Sequence, residues 1–277
     1  MSEGVLDLTF LQVKLPVDRL RFLGRFSNKR KVAIVGTRQA SKSYCDFAYK
    51  LGYHLSCHNL NIISGLAYGI DASAHSGCVA SGIEESATAI LATPLESIYP
   101  KENEGLAKRI LDLKGFVGTI NQNHPVRKSD FIARNAIIAA LSELVIVVQG
   151  SLKSGALYTA NFALEFGKEV MAVPGAPWDE NCSGTNHLIK EGVYPITKLE
   201  DVLEALNIPN NVACENNYTD SERLILAIIK STNPCYIETI MEKANITYNL
   251  AQRVLNSLEE KNVIDTDFTG QIKLRLP

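Results

Sequence analysis

The chain has 277 residues, 46% of them apolar and 21% charged, which suits a folded soluble protein with one large domain and room for a small second one. A formal net charge of −2 excludes a globally basic nucleic-acid binder, so any polyanion site has to be a local patch. Six scattered cysteines without a C-x-x-C, an N-terminus "MSEGVLDLTF" without a signal-peptide build, and no apolar stretch long enough to span a bilayer lead to an expectation of reduced thiols, no metal site, no membrane contact and a cytoplasmic location. Residues 1–28 read as an N-terminal extension. From 29 to 207, the β-branched runs "KVAIV", "NIIS", "ATAILA", "GFVGTI", "LVIVV" and "EVMAVP" alternate with segments of helical spacing. These runs are apolar almost throughout, as strands covered on both faces should be. The pattern predicts an α/β domain, a parallel sheet of Rossmann-like type with helices on both sides. Residues 208–218, "IPNNVACENNY", read as a linker. Residues 219–277 then read as helix, helix, helix and hairpin, the order of a winged helix, with Thr219 capping the first helix.

The turn signals share one address, the carboxyl ends of the predicted parallel strands, where open α/β sheets bind ligands. Gly36-Thr37-Arg38 follows the first run, "SGLAYGIDASAH" (Ser64 to His75) the second and "QGSLKSGALYTA" the fifth. Glycine-rich turns that open helices offer free amides to an anion, and Gly65 and Gly69 are expected to do so. The plainer reading is that they only permit tight packing. No G-x-G-x-x-G and no G-x-x-x-x-G-K-[ST] occurs, so neither a dinucleotide nor another cofactor is expected. His75 reads as a packing residue and Asp71 as a helix cap rather than a general base. Eight Lys or Arg and no acid fall between Arg19 and Lys42, and Arg127, Lys128 and Arg134 form a second basic group. Most of Arg19 to Lys31 reads as a solvated face, whereas Arg38 lies inside a phosphate-type turn. Separated phosphate turns with cations between them suit a single nucleic-acid strand better than a mononucleotide.

The segments "KVAIVGTRQAS", "SGLAYGID", "IYPKEN", "FIARNAIIAALSELVIVV", "KSGALYTANFALEFGKEVMAVPG" and "GTNHLIKEG" follow one another in an order and spacing that resemble the DprA (Smf) DNA-processing family from about Lys31 to Gly192. The resemblance implies an extended Rossmann fold, binding of single-stranded DNA by a homodimer, and loading of RecA during natural transformation without catalysis. It places the DNA contacts on Gly36 and Arg38; on Ser64, Gly65 and Gly69; on Lys128 or Arg127; on Arg134 and Asn135; and on Lys153, Ser154 and Gly155, and Thr37 and Tyr68 in the same two turns are expected to join them. Two positions depart from the family: Tyr68 and Ala136 stand where many members carry Arg. Tyr68 then either stacks on a base or packs on its neighbours. The C-terminal module holds seven Lys/Arg against eight Asp/Glu, which argues against readout of duplex DNA. The competing reading is a Rossmann-like nucleotide hydrolase related to the cytokinin-activating phosphoribohydrolases. It lacks that family's P-G-G-x-G-T-x-x-E and the carboxylate such chemistry needs.

Overall fold

The strand Lys31–Val35 explains why the predicted runs are apolar at every position. Val32 and Ile34 belong to one hydrophobic layer, and Ala33 and Val35 to another on the opposite face of the sheet. Side chains alternate across a strand, so burial on both faces leaves no position for a polar residue. The computed structural model describes residues 3–121, 125–209, 219–232, 234–260 and 263–274. The chain divides into two compact units, residues 1–212 and 213–277.

In the first unit, β1 (Glu3–Asp7), β2 (Arg19–Gly24), β3 (Lys31–Val35), β4 (Asn61–Ser64), β5 (Ala87–Leu91), β6 (Phe116–Thr119), β7 (Leu144–Val147), β8 (Glu169–Ala172) and β9 (Tyr194–Pro195) form one sheet. Its order is β1-β2-β6-β5-β4-β3-β7-β8-β9. From β6 to β9 every neighbouring pair is parallel, with Val32 opposite both Ile62 and Leu144. The six strands expected from the sequence are all present. The segment read as an extension supplies two further strands, β1 against β2 and β2 against β6, both antiparallel. They escaped the sequence reading because an edge hairpin with a solvated side carries charges such as Arg19 and Arg21 where a central strand cannot.

Helices α1 (Lys42–Cys57), α2 (Ile70–Ser81), α3 (Glu104–Asp112) and α7 (Glu200–Ala205) cover one face, and α4 (Lys128–Leu141), α5 (Gly155–Glu165) and α6 (Ser183–Lys190) the other. After β6 the chain crosses through α4 to the far side of β3. The strand order therefore reverses between β3 and β7, which opens a crevice at their carboxyl ends. No described helix is long and apolar enough to cross a membrane. Cys45, Cys78, Cys182 and Cys235 are free thiols.

The second unit has α8 (Asp220–Ser231), α9 (Ile237–Ala244), α10 (Tyr248–Glu260) and the hairpin β10 (Ile264–Thr266) and β11 (Ile272–Leu274), in the element order read from the sequence. Its own core includes Ile225, Ile229, Ile240, Ala251, Leu258 and Ile264. Thr219 caps α8: its Oγ1 accepts the Glu222 N–H at 3.2 Å, and the Glu222 carboxylate accepts the Thr219 N–H at 2.7 Å. Of the expected linker, residues 210–218 lie outside the described residues.

Candidate nucleic-acid interface

The turns after β3 and β7, with the first turns of α4 and α5, line a cleft of ≈ 510 Å³ at the point where the strand order reverses. Gly36, Thr37 and Arg38 enter it from the first turn, Lys153, Ser154 and Gly155 from the second, and Arg134 and Asn135 from α4. Residues far apart in sequence are thus brought to one place. Backbone bonds hold the frame: the Thr37 N–H donates to the Gln149 carbonyl at 2.7 Å, and the Gln149 side chain accepts the Ser41 N–H at 3.1 Å. Ser154 caps α5 by accepting the Ala156 N–H at 3.3 Å. Asn135 Nδ2 donates to the Gly155 carbonyl at 3.0 Å, fixing α4 to the start of α5.

The cleft floor is charged. Arg134 is only 6% exposed; its Nη1 donates to the Ile90 carbonyl at 3.2 Å, and its Nε has no partner among the described residues. Burial lowers the pKa of this guanidinium, nearby Asp71 opposes that shift, and Arg38 adds to it. Asp71 is buried as well, and desolvation raises its pKa against the pull of Arg134 and two amides. Those amides correct the expectation for the second turn. The Gly65 N–H donates to Asp71 Oδ2 at 3.1 Å and the Ala67 N–H to the same oxygen at 3.4 Å. The anion these amides meet is a side chain of the protein itself. A Cβ on Gly65 would stand 1.3 Å from Arg134 Nη1, so this glycine makes room for the arginine. Gly69 has φ +72°, and a Cβ there would lie 2.5 Å from the Thr37 carbonyl, so it lets α2 begin directly beneath the first turn. Ser64 is also structural, because its buried hydroxyl donates to the Ile34 carbonyl at 2.6 Å.

Two predicted cations stand outside the cleft lining. Arg127 and Lys128 are exposed at the start of α4, where the Arg127 N–H donates to Asp130 at 2.8 Å. Lys128 precedes Phe131 and Ile132 by three and four residues, so it sits one turn further out on the helix face that enters the cleft. His75 is buried with Nε2 3.2 Å from the Thr88 carbonyl, and burial pushes its pKa down to about 4, consistent with a neutral packing residue. Three of the six cations before Arg38 pair with acids, Arg21 with Glu3 and Glu96, Arg25 with Glu85 and Arg30 with Glu143, while Lys29 and Lys31 donate to backbone carbonyls. Arg38 and Lys153 have no acidic partner among the described residues.

Sequence reasoning missed the apolar side of the cleft. Phe131, Ile132 and Tyr158 line it, and the Arg38 guanidinium lies 5.2 Å from the centre of the Phe131 ring, a cation–π distance. The signal was present, since Phe131 stands three residues before Arg134 on one helix and so shares its face. Beside the cleft, Tyr68 lines a small depression together with Arg38, Tyr99 and Phe131.

Residues 21–207 match the sequence model of a family described as DNA recombination-mediator protein A. Protein Smf of Synechocystis sp. is 35% identical over 205 residues, which cover 70% of this chain and 50% of that protein. The DNA processing protein DprA of Streptococcus pneumoniae is 38% identical over 173 residues, 62% of this chain and 60% of that protein. The chain thus matches about half to six-tenths of the length of these relatives. The X-ray structure of the S. pneumoniae protein aligns with a TM-score of 0.66 at 32% identity, covering 73% of this chain and 74% of that one. A structure of DNA processing protein A from Helicobacter pylori, described for its single-stranded DNA binding mode, also gives 0.66, at 26% identity over 74% of this chain and 95% of that one.

Proposed function

The chain belongs to the DNA recombination-mediator protein A family, and from that premise we propose that it binds single-stranded DNA in the cleft between β3 and β7 and hands the strand to RecA. The observation that carries this reading is the convergence of Arg38, Arg134 and Lys153 on one cleft with an exposed aromatic wall. Two of these cations have no acid to neutralise them, and the third is buried with a free donor. Phosphates supply what these groups lack, and Phe131 offers a face to a base. Arg38 and Lys128 take phosphates at the rim, Arg134 at the floor and Lys153 from the α5 side, with the protein acting as a homodimer in the cytoplasm. The reading is of a binding protein, not an enzyme. Asp71 is the one acid among the residues lining the cleft, and its Oδ2 already accepts two amide bonds. A nucleotide hydrolase would need a carboxylate free to act on its substrate.

The test is fluorescence anisotropy of labelled oligo-dT over a range of salt, with duplex of equal length as control. Four phosphate contacts give a slope of log K against log salt of about −3, at roughly −0.7 per contact for a single strand. The double variant Arg38→Ala/Lys128→Ala is expected to lose most of this binding while keeping its fold. Unchanged affinity in that variant, or equal binding of duplex, would count against the cleft.

A further inference from the structure

The loop after β5 carries the segment "IYPKEN", which the phosphate cleft leaves without a task. Two of its residues, Glu102 and Asn103, bond to the loop that bears Tyr68. Glu102 Oε2 accepts the Tyr68 hydroxyl at 2.5 Å, and Asn103 Nδ2 donates to the carbonyls of Leu66 and Ala67 at 2.8 and 3.4 Å. Tyr99, from the same segment, is 50% exposed, and Tyr68 is 38% exposed. Both tyrosines border one depression with Arg38, Phe131 and Arg134, three residues that also line the main cleft. The depression measures only ≈ 10 Å³, too shallow to enclose a base, so a base can only lie against its rings. An aromatic ring on a fixed loop, adjoining cations, is the arrangement that stacks nucleobases.

We propose that Tyr68, held by Glu102, is the stacking platform for a nucleobase whose phosphate lies in the cleft, with Tyr99 as the second wall of that subsite. This rests on the reading of the cleft as a single-strand site and adds a second aromatic contact, from the loop after β4, to the face that Phe131 offers a base. Glu102 acts as a positioning residue. Its carboxylate accepts the Tyr68 hydroxyl and so fixes the direction in which the ring is presented.

The experiment compares oligo-dT with an abasic strand of the same length and phosphate count, using the full chain at one fixed salt concentration. Wild type is expected to prefer the base-bearing strand by about 5- to 150-fold, the range that one to a few kcal/mol of stacking gives. Tyr68→Ala should cut that preference by weakening oligo-dT alone, leaving the part that Phe131 supplies, and should leave the abasic strand unaffected. Tyr68→Phe keeps the ring and loses its anchor, so an intermediate preference is expected. Glu102→Ala should likewise reduce the preference, while the lost negative charge raises affinity for both strands alike. Equal binding of the two strands by wild type, or a Tyr68→Ala loss that is the same for both, would overturn the proposal and leave the single-strand reading standing. Wild type that binds neither strand would overturn both.

Discussion

Buried charge at the cleft floor shows how single residues set the conditions for the rest. Arg134 and Asp71 lie in low-dielectric surroundings where each charge is costly alone, and each is the nearest compensation for the other. The space left by Gly65 and the two amides given to Asp71 exist to maintain that pair. His75, on the same helix as Asp71, makes a separate prediction about acid stability. Unfolded, it takes a proton near its ordinary pKa of 6.5; folded, it resists until about 4. The unfolded chain therefore binds more protons between those values, so this contribution is complete above about pH 6.5 and is lost as the pH falls through the window. The loss amounts to roughly 2–3 kcal/mol at pH 4.5. Asp71 works in the opposite sense, because burial raises its folded pKa and its contribution weakens as the pH rises. The measurement is therefore the difference in urea stability between wild type and His75→Gln at pH 7.5 and 4.5. A slope that His75→Gln leaves unchanged would show that the imidazole does not titrate in this way.

Among the elements, the antiparallel strands β1 and β2 decide where the sheet ends. Phe116 on β6 is fully buried, with Phe22 of β2 stacked on it at 4.9 Å between ring centres and Phe26 set edge-on at 5.3 Å. Aromatic contacts of this kind add to the area they bury, and here they join the edge strand to the parallel core. Phe116→Ala should cost about 3–5 kcal/mol, read as a shift of the urea midpoint with the slope unchanged. A loss under 1 kcal/mol would mean that β2 is held by its hydrogen bonds alone. The parallel strands were legible because an all-apolar run has few explanations. β2 was not, because its Arg19 and Arg21 look like part of a charge run until Glu3 and Glu96 are seen beside Arg21.

Taken as a whole, the first compact unit has a hydrophobic layer on each face of its sheet and the second has a core of its own. The cleft lies wholly within the first, and the second carries no excess of basic residues. Leu258 is fully buried in the second core, and Leu258→Ala should destabilise that unit by about 2–5 kcal/mol. Hydrogen exchange in α10 should accelerate while affinity for oligo-dT stays as in wild type. An affinity that falls in step with α10 protection would bring the second unit into DNA binding.

The parallel α/β class, the presence of the six central strands and the turns at their carboxyl ends were legible in the sequence alone. Those properties follow from local periodicity and turn chemistry, which each segment carries on its own. Which residues line the cleft was decided by the tertiary fold. It turned Ser64 and Gly65 inward to Ile34, Asp71 and Arg134, left Arg127 and Lys128 on the rim, and brought Phe131, Tyr158 and Tyr99 to the surface beside Arg38. The reason is geometric: a glycine that receives an anion and a glycine that clears space for a buried guanidinium look alike in sequence. The side chain that fills the space comes from an element almost seventy residues away.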